Sequence, residues 1–200
     1  MLQLMERFPA TETRREFGVR TVRVALAGCG TVGGGLLRLL EEESDAIQRT
    51  HGVRFEVVRV LVRDAGRARA VDLRGSVVTT DVASFLATDA DLVVEAIGGI
   101  EPALAIARAA LGGGRAFVTA NKALVAAHGA ELARLARESG ATLGYEAAVA
   151  GGVPVIRTLR DALAPTGVTA IRGILNGTTN FVLTRMHEGA RFTDALAEAQ

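Results

Sequence analysis

The run "FVTANKALVA", residues 117–126, carries the one lysine of the chain, Lys122; every other member of its 23 Lys and Arg residues is arginine. A guanidinium stays charged in proteins, whereas an ammonium is a compact donor whose proton moves readily. One lysine kept among arginines therefore suits a site where a proton passes to or from a substrate oxygen. It also suits a solvated surface charge, the commonest use of lysine.

A second constellation lies upstream. "VRVALAGCGTVGGG" sets Gly28, Gly30 and Gly33 in a G-x-G-x-x-G directly after an apolar β-branched run. The first glycine permits a tight turn, the second lets a pyrophosphate approach the backbone, and the third lets helix and strand pack closely. The N–H groups of the helix start then face the phosphates, with the positive end of the macrodipole behind them. A glycine-rich packing turn is the plain alternative, given the run Gly33 to Gly35. Cys29, inside the turn, reads as a small filler. Further on, "VRVLVRDAGRARA" offers Arg63 and then Asp64, with Arg67 and Arg69 nearby. An acid at the end of a second strand bonds a ribose 2′-hydroxyl. An arginine there suits a 2′-phosphate, so Arg63 favours NADP over NAD; a solvated basic loop is the other reading.

These residues need a frame, and the chain supplies one. Strand-like runs at "VRVALAG", "FEVVRVLV", "SVVTT", "DLVVEAIGG", "RAFVTA" and "ATLGYEA" alternate with helical stretches. The helical stretches are "VGGGLLRLLEEESDAI", "EPALAIARAALGGG" with Pro102 near its first turn, and "HGAELARLARESG". Six strands with helices between them predict an α/β fold, a doubly wound parallel sheet of Rossmann type. Strand five ends at "TANK", which puts Asn121 and Lys122 at the carboxyl edge, where such sheets bind ligands. After about Val149 the rhythm changes: "GVPVIRTLRDALA" reads as helix, "GVTAIRGIL" as strand, and "TNFVLTRMHEG" and "RFTDALAEAQ" as helices. The expected division is an N-terminal extension over 1–20, a dinucleotide-binding domain over 21–148, and the incomplete start of an α+β substrate and dimerisation domain over 149–200.

Composition narrows the partners. A net charge of +1 and 4% aromatics give no reason to expect nucleic acid. No apolar run reaches the length of a membrane span, and charges occupy the first twenty residues where a secretory signal needs an apolar core. Arg14 and Arg15 hint at a transit peptide, against which stand Glu6, Glu12 and Glu16. One cysteine excludes an internal disulfide and a cysteine-based zinc site, so a reducing, cytoplasmic setting is the default expectation. His51, His128 and His187 form no ligand spacing.

Taken together, "GCGTVGGG", "EAIGGIEPA", "TANKALVA", "YEAAVAGGVPVIRTLRD" and "GILNGTTNFVLTRM" resemble the N-terminal part of the homoserine dehydrogenase family, in the family's order from about Val22 to Gln200. The resemblance implies interconversion of L-homoserine and aspartate 4-semialdehyde with NAD(P)H, on the route to threonine, methionine and isoleucine. It implies cofactor contacts at Gly28, Gly30, Thr31, Val32 and Gly33, and at Gly98 and Gly99 near the nicotinamide end. Lys122 matches an active-site lysine, and Gly177 with Thr178 match substrate-side contacts. The resemblance also implies a monovalent cation, usually sodium, held largely by backbone carbonyls at Glu146, Val149, Gly151 and Val153. A rigid hinge is the alternative for that loop.

The family's substrate domain continues past the "EAQ" at 198–200 with two aspartates and a second lysine taken as the main acid/base. The expectation is therefore a homodimer if the full substrate domain is present, and poor turnover by these 200 residues alone. The rival readings are a catalytically incompetent dinucleotide-binding fragment or regulatory subunit, and an acylating semialdehyde dehydrogenase. The latter needs a cysteine nucleophile beyond the sheet, and Cys29 lies in the phosphate turn.

Overall fold

A computed structural model describes residues 18–67, 71–73, 75–174 and 176–199. Most of the expected N-terminal extension, Arg69 and Leu175 lie outside the described residues.

Six parallel strands form one sheet in the order β3-β2-β1-β4-β5-β6. They are β1 Arg20–Ala27, β2 Val53–Leu61, β3 Val77–Thr79, β4 Leu92–Glu95, β5 Ala116–Thr119 and β6 Leu143–Gly144. The order reverses direction between β1 and β4, which puts a crevice at their carboxyl ends. β1 and β2 shift register between Val24 and Ala25, so Val24 faces Val57 and Ala25 faces Arg59.

The sheet is buried on both faces, which explains its near-continuous apolar strands. On one face Leu26, Val60 and Val62 pack against Leu36 and Leu37 of α1 (Thr31–Glu42). On the other, Ala25, Val93 and Phe117 meet α3 (Val82–Leu86), α4 (Ala103–Gly112) and α5 (Lys122–Ser139) through Phe85, Ile106, Leu111, Leu124 and Leu132. Arg108 of α4 donates to both carboxylate oxygens of Glu131 on α5, at 2.7 and 3.0 Å.

Four local expectations differ from the structure. The helix read over 32–47 is two helices, α1 and α2 (Ser44–His51), separated at Glu43, whose ψ of 7° leaves the helical region. The short α3 has no counterpart among the expected helices; Asp81 caps it by accepting from the Ala83 and Ser84 N–H groups. α5 begins at Lys122 rather than His128, because the Asn121 side chain caps it by accepting from Leu124 N–H at 3.0 Å.

The strand expected over 167–175 does not form among its described residues: 167–174 belong to no ladder, and Val168, Ile171 and Ile174 are exposed. β-branched residues fit a pleated surface but do not create a partner strand. The surrounding segment is helical, with α6 (Val155–Arg157) running into a π turn at Thr158–Ala162, then α7 (Gly177–His187) and α8 (Phe192–Glu198). No helix among the described residues is long and apolar enough to cross a membrane.

Candidate dinucleotide site

The β1–α1 turn separates its three glycines by environment. Gly28 has φ +98°, and a Cβ there would stand 2.6 Å from the Ala96 carbonyl oxygen. A Cβ on Gly33 would overlap the Gly28 carbonyl oxygen itself. Gly30, the N-cap of α1, has nothing within 4 Å of a Cβ position. Two glycines are thus demanded by the fold, while the third borders open space at a helix N-terminus. No side chain caps α1, which leaves its first N–H groups for a ligand. The residues present fit a pyrophosphate. Thr31 and Val32 begin this helix, and Val32 is exposed. Cys29 is half-buried against the α1-side cluster.

Arg63 lies two residues past β2 and is exposed. The strand end beside it is held by Val62 N–H donating to Thr79 O and by Gly28 N–H donating to Leu61 O, both at 2.9 Å. Asp64 turns back on its own loop, its Oδ1 accepting from Gly66 N–H at 2.8 Å.

Across the crevice, the β4 turn carries Gly98 and Gly99, both left-handed at φ +77° and +75°. Its organiser is Glu95, fully buried at the end of β4. Glu95 Oε1 accepts from the N–H groups of Ile97 at 2.7 Å and Gly98 at 3.1 Å, and Oε2 accepts from the Thr119 hydroxyl at 2.5 Å. Asn121 Nδ2 donates to Gly99 O at 2.6 Å and approaches Glu95 Oε1 at 3.5 Å. Sequence position marks Asn121, whereas Thr119 carries no mark of its own. The carboxylate closing the otherwise apolar strand "LVVE" marks Glu95 as unusual without disclosing its partners.

Lys122 follows Asn121 directly, as the first residue of α5, and is exposed. A cation at a helix N-terminus faces the positive end of the macrodipole, the unfavourable sign. Lys122 is therefore not placed there by helix stability. The structure brings the turns bearing Gly28–Gly33 and Gly98–Gly99 together with the N-terminus of α5 at one sheet edge.

The remaining expected residues sit on other elements. Glu146 starts a 3₁₀ turn beside β5, and its carboxylate accepts from the N–H groups of Ile156 at 2.9 Å and Arg157 at 3.0 Å. The Glu146 carbonyl accepts from Val149 N–H, and the Val153 carbonyl from Val155 N–H. Ala150 at φ +49° and Gly152 at φ +86° bend the loop that carries Val149 and Gly151. Among the described residues no group of three or more His, Cys, Asp or Glu side chains could hold a metal. Gly177 and Thr178 form the exposed first turn of α7, capped by Asn176, whose Oδ1 accepts from Thr179 N–H at 2.9 Å.

The family model described as the NAD-binding domain of homoserine dehydrogenase matches residues 28–146, and the model described as homoserine dehydrogenase matches 154–200. The chain belongs to the homoserine dehydrogenase family. Among its relatives, homoserine dehydrogenase of Bacillus subtilis is 40% identical over 184 residues, covering 91% of this chain and 42% of the relative. That of Corynebacterium glutamicum is 44% identical, covering 89% of this chain and 40% of its own. The crystal structure of a homoserine dehydrogenase from Thiobacillus denitrificans superposes with a TM-score of 0.82 at 41% identity, covering 92% of this chain and 43% of that one. The chain thus spans less than half the length of the relatives it matches.

Proposed function

We propose that the protein to which these residues belong interconverts L-homoserine and aspartate 4-semialdehyde with a nicotinamide dinucleotide, and that this chain supplies its coenzyme site and one active-site lysine. The observation that carries the reading is the glycine pattern of the β1–α1 turn. Gly28 and Gly33 are excluded from bearing a side chain by backbone atoms, while Gly30 opens onto empty space at an uncapped helix start. That arrangement holds a pyrophosphate at the switch point of a parallel sheet, and the family match covers it.

When bound, the coenzyme accepts or supplies a hydride at its nicotinamide ring. The chain's residues do the rest. The N–H groups of the α1 start bind the diphosphate. Arg63, past β2, pairs with a 2′-phosphate, which makes NADP the preferred coenzyme. The Ile97–Gly99 turn lies on the nicotinamide side because the adenosine half occupies the β2 side. The Lys122 ammonium donates a hydrogen bond to the substrate carbonyl oxygen and gives up its proton as carbonyl becomes hydroxyl, and the neutral amine takes that proton back in the reverse direction. Gly177 and Thr178 offer the α7 start to the substrate. A monovalent cation, sodium by family habit, takes carbonyl oxygens at Glu146, Val149, Gly151 and Val153. The wider setting we propose is a cytoplasmic homodimer serving threonine, methionine and isoleucine synthesis.

A second reading has its own support in the 40–43% share of the relatives that the chain covers. It is a dinucleotide-binding unit that turns substrate over slowly or not at all. Fluorescence titration with NADPH, paired with a steady-state assay on homoserine and NADP, separates the two. Binding with turnover supports the enzyme, binding without it supports the second reading, and absence of binding overturns both.

A further inference from the structure

Glu95 is a carboxylate buried with no basic partner among the described residues. A charge in such a place needs several hydrogen bonds to persist, and each donor here belongs to an element that bounds the coenzyme crevice. We propose that Glu95 is a positioning residue, which locks the nicotinamide-side turn and the N-cap of α5 into one unit and so fixes Lys122 relative to the ring. The proposal rests on the coenzyme reading above.

Backbone donors dictate the polarity of this network. Leu124 N–H donates to Asn121 Oδ1, which turns the Asn121 Nδ2 group toward Gly99 O and Glu95. Asn121 N–H donates to Thr119 Oγ1 at 3.0 Å, so the Thr119 hydroxyl proton points at Glu95 Oε2. Ile97 and Gly98 can only donate. The two backbone N–H groups and the Asn121 amide can only donate to Glu95, and the Thr119 hydroxyl has its proton free for Oε2. A carboxylate accepts from all four, whereas a carboxamide accepts at one oxygen and takes the hydroxyl's bond away by donating to it instead.

The network reaches outward from there. The Ile97 and Gly98 bonds draw the chain back over the end of β4, where Ala96 N–H donates to Ala27 O at 2.7 Å and the Ala96 carbonyl abuts Gly28. The Thr119 and Asn121 bonds reach β5 and the residue preceding Lys122. Glu95 therefore stands between the phosphate turn and the lysine without lining the phosphate turn itself.

Glu95→Gln keeps the shape but turns an NH2 group toward the Thr119 hydroxyl, whose own proton then loses its acceptor. The test compares two probes on the whole chain: NADPH, and 2′-phospho-ADP-ribose, which lacks the ring. Calorimetry should show 2′-phospho-ADP-ribose held within about twofold of the unsubstituted chain, while NADPH weakens about tenfold or more, as expected for one unsatisfied buried group. Thr119→Val removes one donor while leaving the carboxylate in place. It should move NADPH in the same direction by a smaller factor, and it carries the test if Glu95→Gln does not fold. Equal weakening of both probes by these variants would reduce Glu95 to a general structural role and overturn the proposal. Unchanged NADPH affinity would overturn it too. Failure of the unsubstituted chain to bind NADPH at all would instead sink the coenzyme reading beneath it.

Discussion

The side-chain amide of Asn121 joins two elements, its Oδ1 accepting from Leu124 N–H to cap α5 while its Nδ2 donates to Gly99 O at 2.6 Å. Asp and Ser are about as good as Asn at a helix N-cap, so the cap alone predicts equal stability for either replacement. The bond to Gly99 predicts otherwise. Asn121→Asp turns an acceptor oxygen toward the Gly99 carbonyl and toward Glu95, whereas Asn121→Ser merely leaves that side unfilled. Thermal unfolding at pH 7 should rank Asn above Ser above Asp, with the Asp variant about 2–3 kcal/mol down, the cost of an unsatisfied and repelled buried group. A tie between Ser and Asp would mean the Gly99 contact contributes nothing.

The turn glycines separate folding from binding. Gly33→Ala places a Cβ on the Gly28 carbonyl oxygen, and forcing the backbone aside should cost about 1–3 kcal/mol as well as coenzyme affinity. Gly30→Ala meets nothing in the protein. It should lower the melting temperature by no more than about 2–4 °C, the loss expected when alanine replaces glycine at an N-cap. NADPH titration should nonetheless weaken at least about tenfold, because the Cβ fills the phosphate approach. A Gly30→Ala chain that binds normally would place the diphosphate elsewhere.

Local signals account for what the chain discloses by itself. The strands are legible because β-branched runs such as "VRVALA" have a pattern within one element, and the glycine spacing marks a turn whatever surrounds it. Asn121, a strong N-cap residue, marks the α5 start, although the helical rhythm is plain only from His128 onward. The role of Glu95 is illegible for a different reason. Its side-chain partners stand 24 and 26 residues away, and nothing in "LVVE" says whether the carboxylate turns to water or to the hydroxyl of a neighbouring strand. The segment 167–174 fails in the opposite sense: Val168, Ile171 and Ile174 have the composition of a strand, yet a ladder needs a second chain segment that composition cannot name.

The α4–α5 clamp should respond to acid. The Glu131 carboxyl is held below its ordinary 4.5 mainly by the hydrogen bond from Arg108, against an opposing desolvation cost, with His128 adding a weaker contact at 3.3 Å. A carboxyl whose folded-state value is depressed contributes stability above its unfolded value and loses it as pH falls through the folded one. The melting temperature of the unsubstituted chain should therefore exceed that of Glu131→Gln at pH 7 by a small, salt-sensitive margin. The two should converge as pH drops below about 4. A gap that stayed constant down to pH 3 would show that the clamp acts through packing rather than charge.

Lys122 should reveal a conflict between stability and activity. It is the first residue of an 18-residue helix, where a positive charge meets the positive end of the macrodipole. Lys122→Gln removes the repulsion and should raise the melting temperature by about 1–3 °C. It should leave NADPH affinity nearly unchanged. Whatever homoserine turnover the chain supports should fall by about a hundred- to ten-thousand-fold, the usual loss for a positioned proton-transfer group. Lys122→Arg keeps the charge, and so the unfavourable interaction with the helix, but cannot release the proton. It should melt like the unsubstituted chain and be as inactive as the glutamine variant. Loss of NADPH affinity in step with turnover would make Lys122 a phosphate ligand. A lower melting temperature for Lys122→Gln would mean that the ammonium is there for the fold after all.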